Sequence, residues 1–154
     1  MQNGGKLVHV LGRDVIGRPS RVSYVQSTNI IIVTDDQARQ LKVFSAADWT
    51  QRGSIFPPPT ASTSADTSGD LLPFPSGHCV TPDGRLAVID FESKSVVVWN
   101  AKRRHGADSD AVMVCQTALP CPGNVAVTRR AQLAVTDSKA RTIFIFLCSG
   151  LISQ

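Results

Sequence analysis

Apolar and polar residues alternate along this chain in short runs, and no stretch carries a helical period. The stretch VAVTRRAQLAVTDSKARTIFIF, from Val125 to Phe146, shows the unit. An alternating segment leads through a polar turn to a second segment that closes on an aspartate. Four polar or small residues follow, and then a third apolar segment. Such a piece is too small to bury its own apolar residues, so it has to pack against further copies of itself.

The copies are present. Val33-Thr34-Asp35, Val88-Ile89-Asp90 and Val135-Thr136-Asp137 align, and an aromatic residue (Phe44, Trp99, Phe146) stands nine residues after each aspartate. Pro19, Pro75 and Pro122 precede those aspartates by 16, 15 and 15 residues, so one residue is inserted in the first turn. The aspartates are 55 and 47 residues apart, the length of a propeller blade. The pattern predicts strands over 21–25, 30–34 and 40–44, with a weaker one over 49–56. It predicts others over 78–81, 85–89 and 95–100, with a fourth in AVMVCQTAL, and over 124–128, 132–136 and 142–147, with GLISQ left beyond. Lys6 to Leu11 reads as a strand with no partner before it. Pro82-Asp83-Gly84 reads as a tight hairpin turn in which the glycine supplies a positive φ.

Two segments interrupt the order. Residues 57–70, PPPTASTSADTSGD, lack any apolar period and are expected to form a flexible loop. Residues 100–110, NAKRRHGADSD, read as a solvated connection. The whole of 1–154 is then one segment with repeats at approximately 19–56, 75–119 and 122–154.

Composition narrows the class. The chain is 42% hydrophobic and 18% charged, and its longest apolar runs are strand length, so no membrane partner is expected. The N-terminus lacks the basic and apolar blocks of a secretory signal, which makes the cytoplasm the expected compartment. Cys79, Cys115, Cys121 and Cys148 match neither a zinc pattern nor a disulfide scaffold and read as reduced thiols, with Cys121 the most exposed. His9, His78 and His105 lie in unrelated contexts, so neither a metal site, a cofactor nor a catalytic cluster is expected. Sixteen Lys and Arg against twelve acids give a net charge of +4, a mild bias toward anionic partners.

The proline, the alternating strand, the aspartate after a second strand, the basic residue four positions later and the strand ending in an aromatic together resemble the NHL repeat. PGNVAVTRRAQLAVTDSKARTIFIF and PSGHCVTPDGRLAVIDFESKSVVVW are the closest copies, and RPSRVSYVQSTNIIIVTDDQARQLKVF is similar. The resemblance covers Pro19 to Phe146 apart from the two connections. It implies an all-β fold, a β-propeller with about three four-stranded antiparallel blades. Three blades are too few to close a ring, for which four to eight are typical. The chain would then be a partial or half ring, completed by the remainder of a longer parent chain or by a homodimer.

In a propeller, the loops between blades and the turns between second and third strands emerge together. Arg18, Ser20, Arg21, Gln37 and Arg39 would share a surface with His78, Lys94, Asn124, Lys139 and Arg141. Asp35, Asp90 and Asp137 would cap the turns' backbone N–H groups and meet Arg39, Lys94 and Arg141. Their recurrence in every copy argues for a structural role rather than catalysis. The resemblance implies a non-catalytic module that recognises RNA or a protein partner, as in the recognition domain of tripartite-motif ubiquitin ligases. Alternatively it is a protein-protein scaffold or sensor propeller without a ligase. Four cysteines at these spacings cannot make the two zinc sites of a RING. The amidating lyase that shares the repeat uses metal-binding histidines, and this sequence has no matching set.

Overall fold

A computed structural model of the chain describes residues 5–55, 74–99, 112–115 and 119–147. The stretches 57–70 and 100–110, and GLISQ, lie outside the described residues. Eleven strands are described, all antiparallel to their neighbours, and no helix among the described residues is long and apolar enough to cross a membrane. The first sheet runs in the order β1 (Pro19–Val25), β2 (Ile30–Asp35), β3 (Gln40–Ser45), β4 (Gln51–Ile55). The second runs β5 (Pro75–Val80), β6 (Leu86–Asp90), β7 (Ser95–Trp99), β8 (Val112–Cys115). The third has β9 (Pro122–Val127), β10 (Gln132–Asp137) and β11 (Thr142–Leu147) among the described residues. These are three blades in sequence order, with the inner strand β5 in contact with both β1 and β9.

The register repeats as closely as the sequence does. Pro19, Pro75 and Pro122 pair with Asp35, Asp90 and Asp137, and in each blade the next residue is skipped before pairing resumes. Ser20, Ser76 and Gly123 are therefore β-bulges, one at the head of every inner strand, where a proline's missing N–H costs no ladder bond. The inserted residue of the first copy falls in the β1–β2 hairpin: six residues separate Tyr24 from its partner Ile31, against five between Val80 and Leu86 and five between Val127 and Leu133.

Period-two alternation then sorts each strand between two neighbours. Leu86, Val88 and Val97 of the second blade pack back on Ile32 and Leu41 of the first. Ala87, Ile89, Val96 and Val98 pack forward on Leu119, Val125, Leu133 and Val135 of the third. Full burial of one such Leu, Ile or Val contributes about 1.5–3 kcal/mol. These two apolar slabs, more than the ladders within a sheet, hold blade to blade.

One expected strand is not formed. Lys6 to Leu11 pairs with none of the described strands, and Leu7, Val8 and Val10 stand exposed. An alternating segment becomes a strand only where an edge offers hydrogen bonds.

Candidate recognition surface

Each blade carries the segment leading into its inner strand and its second turn at the same end. Three equivalent backbone bonds tie them together: Asp36 N–H to the Arg18 carbonyl (3.0 Å), Phe91 N–H to Phe74 (2.8 Å) and Ser138 N–H to Cys121 (3.1 Å). The aspartates fix the geometry from beneath. Asp35 accepts from the N–H groups of Gly17 (2.9 Å), Arg18 (3.1 Å), Gln37 (3.2 Å) and Ala38 (3.1 Å). Asp137 accepts from Cys121 (2.8 Å) and Ala140 (2.8 Å), and Asp90 from Glu92 (3.0 Å) and the Ser93 hydroxyl. Burial works to raise the pKa of Asp35 and Asp137, but the converging N–H groups outweigh it and hold both below the ordinary carboxylate value.

The basic residue four positions later behaves differently from expectation. Arg39, Lys94 and Arg141 adopt left-handed backbone angles, with φ of 53°, 54° and 53°. They close the turns, and none is in an ion pair; among the described residues those pairs are Arg18–Asp36, Arg52–Asp48 and Arg85–Asp83. The aspartates are already engaged by N–H and hydroxyl groups of the turn and of the segment before the inner strand, and the left-handed residue is exposed.

At the inner rim the blades differ. Arg21, Gly77 and Asn124 hold the same register position, opposite the residue before the aspartate. The Arg21 guanidinium reaches across to the carbonyl of the bulged Gly123 at 3.4 Å. Gly77 allows this crowding, since a Cβ there would stand 3.2 Å from both the Asn124 Cα and the Gly123 carbonyl oxygen. Ser76 Oγ donates to the Pro122 carbonyl at 3.5 Å, and Asn124 Oδ1 accepts from the Val125 N–H at 3.0 Å.

His78 is not on the surface. It is 4% exposed and wedged between the first two blades, its Nδ1 2.7 Å from the Thr34 hydroxyl, while its Nε2 has no hydrogen-bond partner among the described residues. Burial, reinforced by the charge of Arg21 and opposed by the Ile32 carbonyl, lowers its pKa to about 4. Arg18, Ser20, Arg21, Gln37, Arg39, Lys94, Asn124, Lys139 and Arg141 are exposed at the end that carries the turns. Cys121 is half-buried, accepting from the Ser138 hydroxyl at 3.1 Å. The bulges and the close approach at Gly77 went unread in the sequence, although the pairs Pro-Ser, Pro-Ser and Pro-Gly in one phase were a usable signal.

Three solved structures share this arrangement. The WD40 β-propeller domain of Doa1 superposes with a TM-score of 0.57 at 11% identity, over 86% of this chain and 37% of that one. Kuenenia stuttgartiensis hydrazine synthase gives 0.50 at 14% identity over 94% and 38%. A catalytically inactive virginiamycin B lyase from Staphylococcus aureus with quinupristin gives 0.50 at 9% over 86% and 42%. The chain carries β-propeller blades. It spans about two fifths of the length of the propeller structures it matches, and at these identities the likeness concerns the fold. No protein-family model and no curated protein matches the sequence.

Proposed function

We propose that the protein is a non-catalytic propeller module that recognises RNA on the end bearing the second turns. The observation that carries this is the fate of the charges there. Asp35, Asp90 and Asp137 are buried under backbone N–H groups, which removes them from the surface balance. Arg18, Arg21, Arg39, Lys94, Lys139 and Arg141 remain exposed, opposed in the same turns by Asp36 and Glu92. A basic rim with few acids suits a phosphate backbone. Phe91, exposed in the second blade's turn beside Phe74 at 5.9 Å between ring centroids, offers a face for a base.

The left-handed basic residues support the reading. At such positions glycine or asparagine costs least, and this chain places Arg, Lys and Arg there without giving them an intramolecular partner among the described residues. The repeat pattern of the sequence supports the NHL type, and with it a role like the recognition domain of tripartite-motif ubiquitin ligases in a cytoplasmic setting.

The test is fluorescence anisotropy with a labelled single-stranded RNA at 50 and 200 mM KCl. Three phosphate contacts give a log–log slope of about −2, a weakening of about 20-fold over that range. R39E/K94E/R141E, checked for folding by circular dichroism, abolishes the binding. Binding that ignores both salt and the triple substitution overturns the RNA reading and leaves a protein interface.

A further inference from the structure

The three blades bury equivalent positions unequally, and the exceptions are at the two ends of the arc. Six and eight residues after its aspartate, the second blade places Val96 (0% exposed) and Val98 (1%) against the third blade. In the first blade the sixth position is Leu41, also 0% exposed. In the third blade those positions are Ile143 and Ile145, 60% and 54% exposed, followed by Leu147 at 75%. Thr136 is likewise exposed, whereas its equivalent Thr34 is buried on His78 of the next blade. The forward face of the third blade therefore has the composition of an interblade interface with nothing described against it.

A second face with exposed apolar side chains is on the same chain, open along its inner strand while Val33 and Phe44 on that face are buried. His78 and Val125 share a register position on the back faces of the second and third blades, and each is 4% exposed. Their counterpart in the first blade, Val22, is 69% exposed beside Tyr24. Ahead of β1 lies the apolar segment 5–11, which pairs with none of the described strands. Seven residues separate Leu11 from Pro19, close to the six between Cys115 at the end of β8 and Pro122. The segment thus leads into β1 as an outer strand leads into the next blade. Among the described residues, β11 is the outermost strand of a three-stranded sheet, one strand fewer than the other two sheets have.

We propose that copies of this chain associate head to tail. The forward face of the third blade takes the back face of the first blade of a second copy, and residues 5–11 of that copy add to the β11 edge as its outer strand. The blade-to-blade contact follows the geometry of the two already made within the chain, with Lys42 at the register position that Val97 and Phe144 hold there, so it is heterologous and closes or extends according to the angle between copies.

The test uses light scattering and two variants that each disable one face, I145K for the forward face and V22K for the back face. The unmodified chain runs at two or more times its 16.5 kDa mass. Each variant alone falls to the single-chain mass, because every copy then lacks the same half of the interface, with an unchanged circular dichroism spectrum. An equimolar mixture of monomeric variants recovers a dimer of one copy of each, because V22K keeps its forward face and I145K its back face. On the unmodified chain, a photo-crosslinker at Leu147, with one copy isotope-labelled, marks residues 5–24 of the other copy. A monomeric unmodified chain, variants that leave its mass unchanged, or cross-links confined to one copy overturn the proposal.

Discussion

Acidifying the protein from pH 7.5 to pH 5 should weaken the joint between the first two blades through one side chain. His78 is 4% exposed with Nδ1 engaged by Thr34, so its imidazole is held neutral and its pKa falls from 6.5 to about 4. The unfolded chain takes up the proton as pH drops through 6.5, but the folded chain does so only near 4. The stabilisation from the neutral ring is therefore complete above 6.5 and drains away across that window. At ~1.4 kcal/mol per pH unit the full loss is about 3 kcal/mol, and about 2 kcal/mol is gone by pH 5. Asp35 and Asp137 have lowered values and lose their contribution only as pH falls through and below the ordinary aspartate value, so they do not obscure the histidine's window. Urea unfolding followed by circular dichroism, at fixed protein concentration and both pH values, measures the difference. In His78→Leu the protein should be weaker at pH 7.5, because Thr34 is left buried without its partner, and the pH 5 penalty should disappear. A native protein equally stable at the two pH values, or a His78→Leu variant that keeps the full penalty, would refute the reasoning.

Asp35→Ala removes the acceptor for four N–H groups and should cost about 2–4 kcal/mol by urea titration, with Asp35→Asn recovering part of it. Gly77→Val forces β5 and β9 apart at two backbone contacts and should lower stability by about 2 kcal/mol, with the loss visible as faster amide exchange in β9. Lys94→Gly relieves a left-handed residue and should leave stability unchanged or raise it by up to about 1 kcal/mol, while weakening RNA binding; a clear loss of stability would return Lys94 to a structural role.

The blades were legible because their signals are local and repeated. Alternation placed all eleven strands, and the aspartate phase placed the second turns, since a saturated carboxylate at a strand end is needed wherever that turn occurs. Relations between blades were harder. His78 reads as a polar residue near a strand head, and only the packing of β5 against β2 shows that it faces Thr34 rather than water. The ion pairs expected for Arg39, Lys94 and Arg141 failed because spacing specifies how far apart two residues are in the chain, not the backbone angle that aims them. Lys6 to Leu11 has the alternation of a strand, yet a strand also needs an edge to pair with.

In a repeat protein the identical positions describe how a blade is built, and the unequal ones describe what this particular protein does. Pro, bulge and aspartate are the same in all three blades, and each has a structural explanation within its own blade. Arg21, Gly77 and Asn124 occupy one register position with a cation, nothing and an amide, which makes the inner rim asymmetric. Arg39, Lys94 and Arg141 also recur, at a backbone angle where a smaller residue would be less strained and with none of them in an ion pair among the described residues. Repetition there spaces like charges from blade to blade around one end of the arc. That is the arrangement a polyanion with regularly spaced phosphates can meet at more than one point.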